Sequence, residues 1–225
     1  SGSTIMAYAG ICGSHNLQSN SDPYFHTASL REVWTYITLN AGAFCADEVP
    51  TGNAPPTVTV TDTLRLPIET AFALSGTADD ETPDALTYVW EEVDLGAAGA
   101  PPQRSGFSGR PPLFRSFDPT SDPLRSFPQY DRYRVNLPPV VGEALPAQTE
   151  NMQFRLTVRD NAPGAGAVTD ARLRALVDGD VGPFAVTFPN EGDLAFNPGS
   201  DLAVTWDVAG TALLDGDGNE DADLV

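Results

Sequence analysis

Lysine is absent from this 225-residue chain, and histidine, cysteine and methionine occur only twice each. All twelve basic residues are arginine, set against 31 acidic ones, and the formal charge is −19. A field of that sign repels nucleic acid and anionic membrane surfaces, and it draws divalent cations. The plainer reading is that the charge keeps an exported chain soluble. No apolar run approaches the roughly 18–20 residues of a membrane span. Several catalytic signatures are also missing: the sequence holds no H-E-x-x-H, no G-x-S-x-G and no phosphate-binding loop. His15 and His26 have neither the number nor the spacing of zinc ligands, so they read as surface or capping residues.

What the chain does have in quantity is turn formers, with 20 glycines and 20 prolines, and enough apolar residues (41%) to fill packed cores. That combination predicts a mainly β protein of short strands, and the length allows about two domains. One helix is predicted from Ser29 to Leu39. Ser29 and Glu32 form an S-x-x-E capping box, Leu30, Val33, Trp34 and Ile37 fall on one stripe, and Gly42 is placed to end it. Residues 46–56 carry three prolines without hydrophobic period and read as a linker. Strands follow in Thr57–Thr61, Leu64–Leu66, Phe72–Leu74, Leu86–Trp90, Gln153–Val158 and Val168–Val177. In the fifth of these, Phe154, Leu156 and Val158 alternate with polar neighbours, which predicts one face inward and one outward. Residues 57–179 therefore read as one immunoglobulin-like β-sandwich with Trp90 in its core. From Pro183 a further β-module begins, and residues 183–225 are too few to bury a sandwich core of their own.

Residues 96–145 are irregular, and they hold half of the arginines together with six Phe and Tyr residues. Docking of this basic, aromatic stretch on the acidic body is the expected outcome, with substrate contact as the alternative. Two acidic runs carry oxygen donors of the kind calcium takes. The first is Asp79, Asp80 and Asp84, in a turn before a strand. It is similar to the Asp-rich turn of PKD-type and cadherin-like modules, and a solvated turn is the competing reading. The second is Asp215, Asp217, Asn219 and Asp221, spaced like the opening of an EF-hand loop. That run has Glu220 where the loop requires glycine and no bidentate glutamate at its end.

The opening run Ser3-Thr-Ile-Met-Ala-Tyr-Ala-Gly-Ile-Cys-Gly, with Asn16-Leu-Gln and Ser21-Asp-Pro-Tyr-Phe-His-Thr-Ala-Ser29, resembles the end of the catalytic domain in reprolysin-like metallopeptidases of the metzincin group. The resemblance covers roughly residues 1–48. It implies that Met6 lies in the methionine turn beneath a zinc ion, and that the predicted helix is the domain's last. Tyr8 is implied near the metal or the transition-state oxyanion, with a buried structural tyrosine as the alternative. It further implies a protein or peptide substrate, a secreted protein, zinc in the intact enzyme, and a chain that starts within the catalytic domain. Because the histidine segment is absent, the expectation for this chain alone is no activity. Export favours a Cys12–Cys45 disulfide closing a loop of roughly 30 residues, worth about 3–4 kcal/mol; free thiols are the alternative. The competing function is a non-enzymatic, calcium-stabilised extracellular or cell-surface module, capped by residues 1–48.

Overall fold

The computed structural model describes residues 2–45, 47–81, 86–96, 112–129, 140–191 and 194–211. They form a mainly β fold of several sheets with one α-helix, α1 (Thr27–Leu39). The strands are β1 (Thr57–Thr59), β2 (Thr63–Pro67), β3 (Phe72–Leu74), β4 (Thr77–Asp79), β5 (Thr87–Glu92), β6 (Arg125–Phe127), β7 (Glu150–Arg159), β8 (Val168–Asp178), β9 (Ala185–Phe188) and β10 (Thr205–Asp207). The main sheet has the order β2-β8-β7-β5, with β2 parallel to β8 and the other pairs antiparallel. Three two-stranded ribbons, β1–β4, β3–β6 and β9–β10, complete the set.

The long β7–β8 hairpin is the spine of the sheet, running from Glu150↔Val177 to Arg159↔Val168 without a break in register. Its turn is organised by Asp160, whose Oδ1 accepts the backbone N–H groups of Ala162 (3.1 Å) and Ala167 (2.8 Å). Burial pushes the Asp160 carboxyl up, but these N–H groups and the Asn53 amide together hold it below its ordinary value. Asn53 lies in the predicted linker, and its amide donates to Asp160 Oδ2 at 2.5 Å and to the Ala165 carbonyl at 3.0 Å. The linker is thus fastened to the hairpin.

Period-two alternation places Met152, Phe154, Leu156 and Val158 on one face of β7, level with Leu173 and Ala175 of β8 and Trp90 of β5. Across the core lies the β3–β6 ribbon. Phe72 and Phe127 stack at 5.0 Å, Phe127 meets Phe154 edge-on at 5.1 Å, and Phe114 closes the group at 5.1 Å from Phe127. Trp90 is buried there, as expected, and its indole N–H donates to the Pro123 carbonyl at 2.9 Å.

Three details differ from the sequence reading. The helix starts two residues earlier, with His26 as N-cap accepting the Ala28 N–H on Nδ1 at 3.1 Å, so Ser29 lies inside the first turn and makes no capping box. Gly42 sits in a 3-10 turn after the helix, where a Cβ would lie 2.9 Å from the Tyr36 ring and carbonyl; close packing explains the glycine. The outer face of the sheet is open at Arg172 and Arg174 of β8 but covered at its β5–β7 part. Thr157 and Glu91, on the face opposite the core, are fully buried beneath the N-terminal segment. No helix among the described residues is long and apolar enough to cross a membrane.

Truncating a fully enclosed ring is the sharpest test of this packing. Phe127→Ala is expected to cost about 3–5 kcal/mol in urea unfolding, the range for removing a buried aromatic ring, and a loss under 1 kcal/mol would contradict it.

Candidate functional site

The N-terminal turn is built by short-range hydrogen bonds. Ala7 N–H donates to the Thr4 carbonyl (3.1 Å), which closes a tight turn with Met6 at its third position. The turn is held on the body by Ile5 N–H to the Tyr24 carbonyl (3.0 Å) and Asp22 N–H to the Ser3 carbonyl (2.7 Å). Ser3 and Thr4 are buried, whereas Met6 and Tyr8 are 71% and 68% exposed. Both adopt left-handed backbone, with φ of 73° and 57°. Such a conformation in a residue with a Cβ costs about 1–3 kcal/mol each and concentrates at functional sites. Tyr8 is therefore not a buried structural tyrosine.

Other large apolar residues of the N-terminal segment are exposed as well. Val33, Trp34, Tyr36 and Ile37 of α1 are exposed, as are Ile11, Leu39 and Phe44. Charge is scarce there: only Asp22, Arg31 and Glu32 carry formal charge between residues 1 and 45. Aromatics and methionine without charge are the composition of interface cores.

Cys12 and Cys45 do not form the expected bridge; both are exposed free thiols. Each is committed locally, with Cys12 Sγ bonded to the Tyr8 carbonyl and Cys45 Sγ to that of Gly42, both at 3.5 Å. Asp79 ends β4 opposite Thr57, whose hydroxyl donates to its carbonyl at 3.2 Å, and Asp80 follows half-buried. Asp84, Asp215, Asp217, Asn219 and Asp221 lie outside the described residues. No group of three His, Cys, Asp or Glu side chains that could hold a metal ion occurs among the described residues.

Sequence reasoning missed two polar centres. Glu91 and Glu92 end β5 and, as neighbours in a strand, point to opposite faces. Glu91 faces the N-terminal segment, and its Oε2 accepts the Thr27 N–H (3.0 Å) and the Thr157 hydroxyl (2.8 Å). Around it, Asp170 Oδ2 binds Arg155 Nη1 at 2.7 Å and the Thr27 hydroxyl at 3.0 Å, and Arg159 Nη2 donates to the Phe25 carbonyl at 2.9 Å. Glu92 faces the core and accepts the Phe114 N–H at 2.8 Å. Complete burial lifts its carboxyl well above the ordinary range.

Arg125 ties this second centre together. Its guanidinium lies over the Phe117 ring (4.8 Å) and the Phe127 ring (4.2 Å), and it donates to the carbonyls of Trp90 and Arg115 and to Glu143 Oε1, each at 2.6 Å. Burial lowers the arginine's pKa and raises that of Glu143; the pair offsets part of each shift. Arg115 likewise bonds Gln18 and lies 3.6 Å from Asp22. The described arginines of the irregular stretch thus dock on the body. A cavity of about 380 Å³ opens beside Arg125, with Tyr88, Phe117, Asp118 and Asp122 on its walls. The signal available in sequence was the Glu-Glu pair directly after Tyr88-Val-Trp90, where the strand continues rather than stops.

Compared with known proteins, the chain matches no family model, no curated protein and no solved structure.

Two outcomes follow from this geometry. A thiol reagent added to the native protein is expected to modify two cysteines per chain without denaturant, and labelling that requires reductant would contradict it. Arg125→Met leaves Glu143 buried without its cation and is expected to cost about 3–5 kcal/mol in chemical unfolding. Adding Glu143→Leu to that variant should recover part of the loss.

Proposed function

We propose that residues 1–48 are the closing part of a metzincin-type zinc endopeptidase domain, in an exported enzyme that cleaves protein or peptide substrates. Residues 57–179 are then an immunoglobulin-like β-sandwich accessory to it. The observation that carries the reading is the Met6 turn: closed by a hydrogen bond, strained to left-handed backbone, and holding an apolar side chain 71% exposed. Among the described residues Met6 faces solvent instead of packing into a core. It is explained by a surface against which a metal-binding layer rests, with the soft thioether shaping that layer's floor. The uncovered stripe of Val33, Trp34 and Ile37 supports the same reading, because a helix with an apolar face is built to pack on something. For the sandwich, support comes from the β3–β6 ribbon facing the main sheet over a shared aromatic core that includes Trp90.

The residues of this chain do not fit a zinc donor set. His26 is the N-cap of α1, His15 is an exposed residue of a 3-10 turn, and no metal-holding group occurs among the described residues. Zinc ligands and general base belong to the intact enzyme, and what this chain supplies is the turn, the helix packing surface and the β-body behind them.

The reading frame is expected to encode H-E-x-x-H-x-x-G-x-x-H ahead of Ser1, and the purified 225-residue chain should cleave no peptide with or without added zinc. A frame with no such segment would leave the non-enzymatic extracellular module in its place. Chelator-sensitive, zinc-restored cleavage by this chain alone would overturn the assignment of the ligands elsewhere.

A further inference from the structure

The junction between residues 22–31 and the outer face of the sheet is centred on one enclosed carboxylate. Glu91 has no exposed surface, yet its two oxygens are treated unequally. Oε2 accepts both the Thr27 N–H and the Thr157 hydroxyl, while Oε1 has no hydrogen-bond partner. The nearest cationic candidate for Oε1 is His26 Nε2 at 3.8 Å, beyond hydrogen-bond reach. Arg159, on β7, keeps Nη2 on the Phe25 carbonyl and leaves Nη1 without a partner. Asp170 on β8 is occupied by Arg155 and lies 3.7 Å from Arg31 of α1, and the buried Tyr24 ring lies under Arg159 at 5.8 Å. An ionised carboxylate offers about four acceptor sites, and here two donors serve them. A neutral acid needs fewer donors and loses less on leaving water, and a proton on Oε2 can be donated to the Thr157 hydroxyl 2.8 Å away, which accepts as well as donates.

We infer that Glu91 is a proton-operated latch: with the proton on, residues 22–31 stay seated on the sheet, and ionisation loosens them. Because Glu91 also receives the first N–H of α1, loosening frees the start of the helix along with the loop before it. The sign follows from linkage. Burial raises the Glu91 pKa above its ordinary 4.5, and His26, the Thr157 hydroxyl, the Thr27 N–H and Arg159 offset part of that. Seating is therefore fully favoured below 4.5 and weakens as pH rises through the value in the seated state. The inference does not depend on the peptidase reading, since every group in it belongs to this chain.

Amide hydrogen exchange on the full chain tests it. Protection of Thr27 and the first turn of α1, corrected for intrinsic rates, is expected to fall with rising pH from about 4 to 8. The fall should be about tenfold for each unit separating the seated and ordinary values. Amides in the middle of β7 and β8 serve as the reference and should keep their protection. In Glu91→Gln, whose amide oxygen can still accept both donors, the Thr27 profile should be flat. Constant or rising protection in the native chain overturns the latch, as does an unchanged slope in Glu91→Gln. Should that variant not fold, the carboxyl carbon of Glu91 in the native chain decides: an inflection above 4.5 supports the latch, and one at or below it refutes it.

Discussion

Two successive glutamate carboxyl groups at the end of β5, both shut away from water, set where their neighbours must lie. A strand sends Glu91 and Glu92 to opposite faces, so each needs its own backbone donor on its own side of the sheet. Thr27 supplies one N–H and Phe114 the other. The first requirement fastens the N-terminal segment over the outer face. The second brings residues 112–116 across the core, where Phe114 completes the group of Phe72, Phe127 and Phe154. A face that would otherwise be wet is covered around Glu91 and Thr157, while Arg172 and Arg174 on the same face stay exposed.

The arginines reinforce the same arrangement. In a chain of charge −19, Arg115, Arg125, Arg155 and Arg159 each end on a carboxylate or carbonyl of another segment. Guanidinium suits this work because it stays charged when enclosed and presents several donors in one plane. Arg125 shows the pattern most fully, with three oxygen acceptors and two aromatic rings around one group. The N-terminal segment inherits its position from these ties: Tyr24 and Phe25 are placed by the sheet, Ile5 pairs with them, and the Met6 turn is thereby held facing outward.

Much of the β framework was legible in the sequence, because it rests on local alternation. Phe154, Leu156 and Val158 announced their inward face, Trp90 its place in the core, and the apolar stripe of α1 its existence as a helix. The helix start was misjudged because only half of its capping is local: His26 caps Ala28, but the Thr27 N–H is accepted by Glu91 from 64 residues away. Thr157 read as solvent-facing for the same reason, since only the fold shows that another segment covers it. The cysteine pair flanks the helix in sequence, but each thiol bonds to a carbonyl within its own turn. The left-handed backbone at Met6 and Tyr8 has no glycine to advertise it, so strain there became visible only in three dimensions. The calcium candidates near Asp215 belong to a stretch outside the described residues.

The seating of the N-terminal segment on the sheet through a shared Glu91 oxygen is the contact most exposed to direct measurement. In an isotope-labelled sample, a nuclear Overhauser cross-peak should join the Thr27 amide proton to the Thr157 side chain, since both groups bond the same Oε2. Its absence, with every cross-peak from residues 22–31 confined to the N-terminal segment itself, would contradict the account.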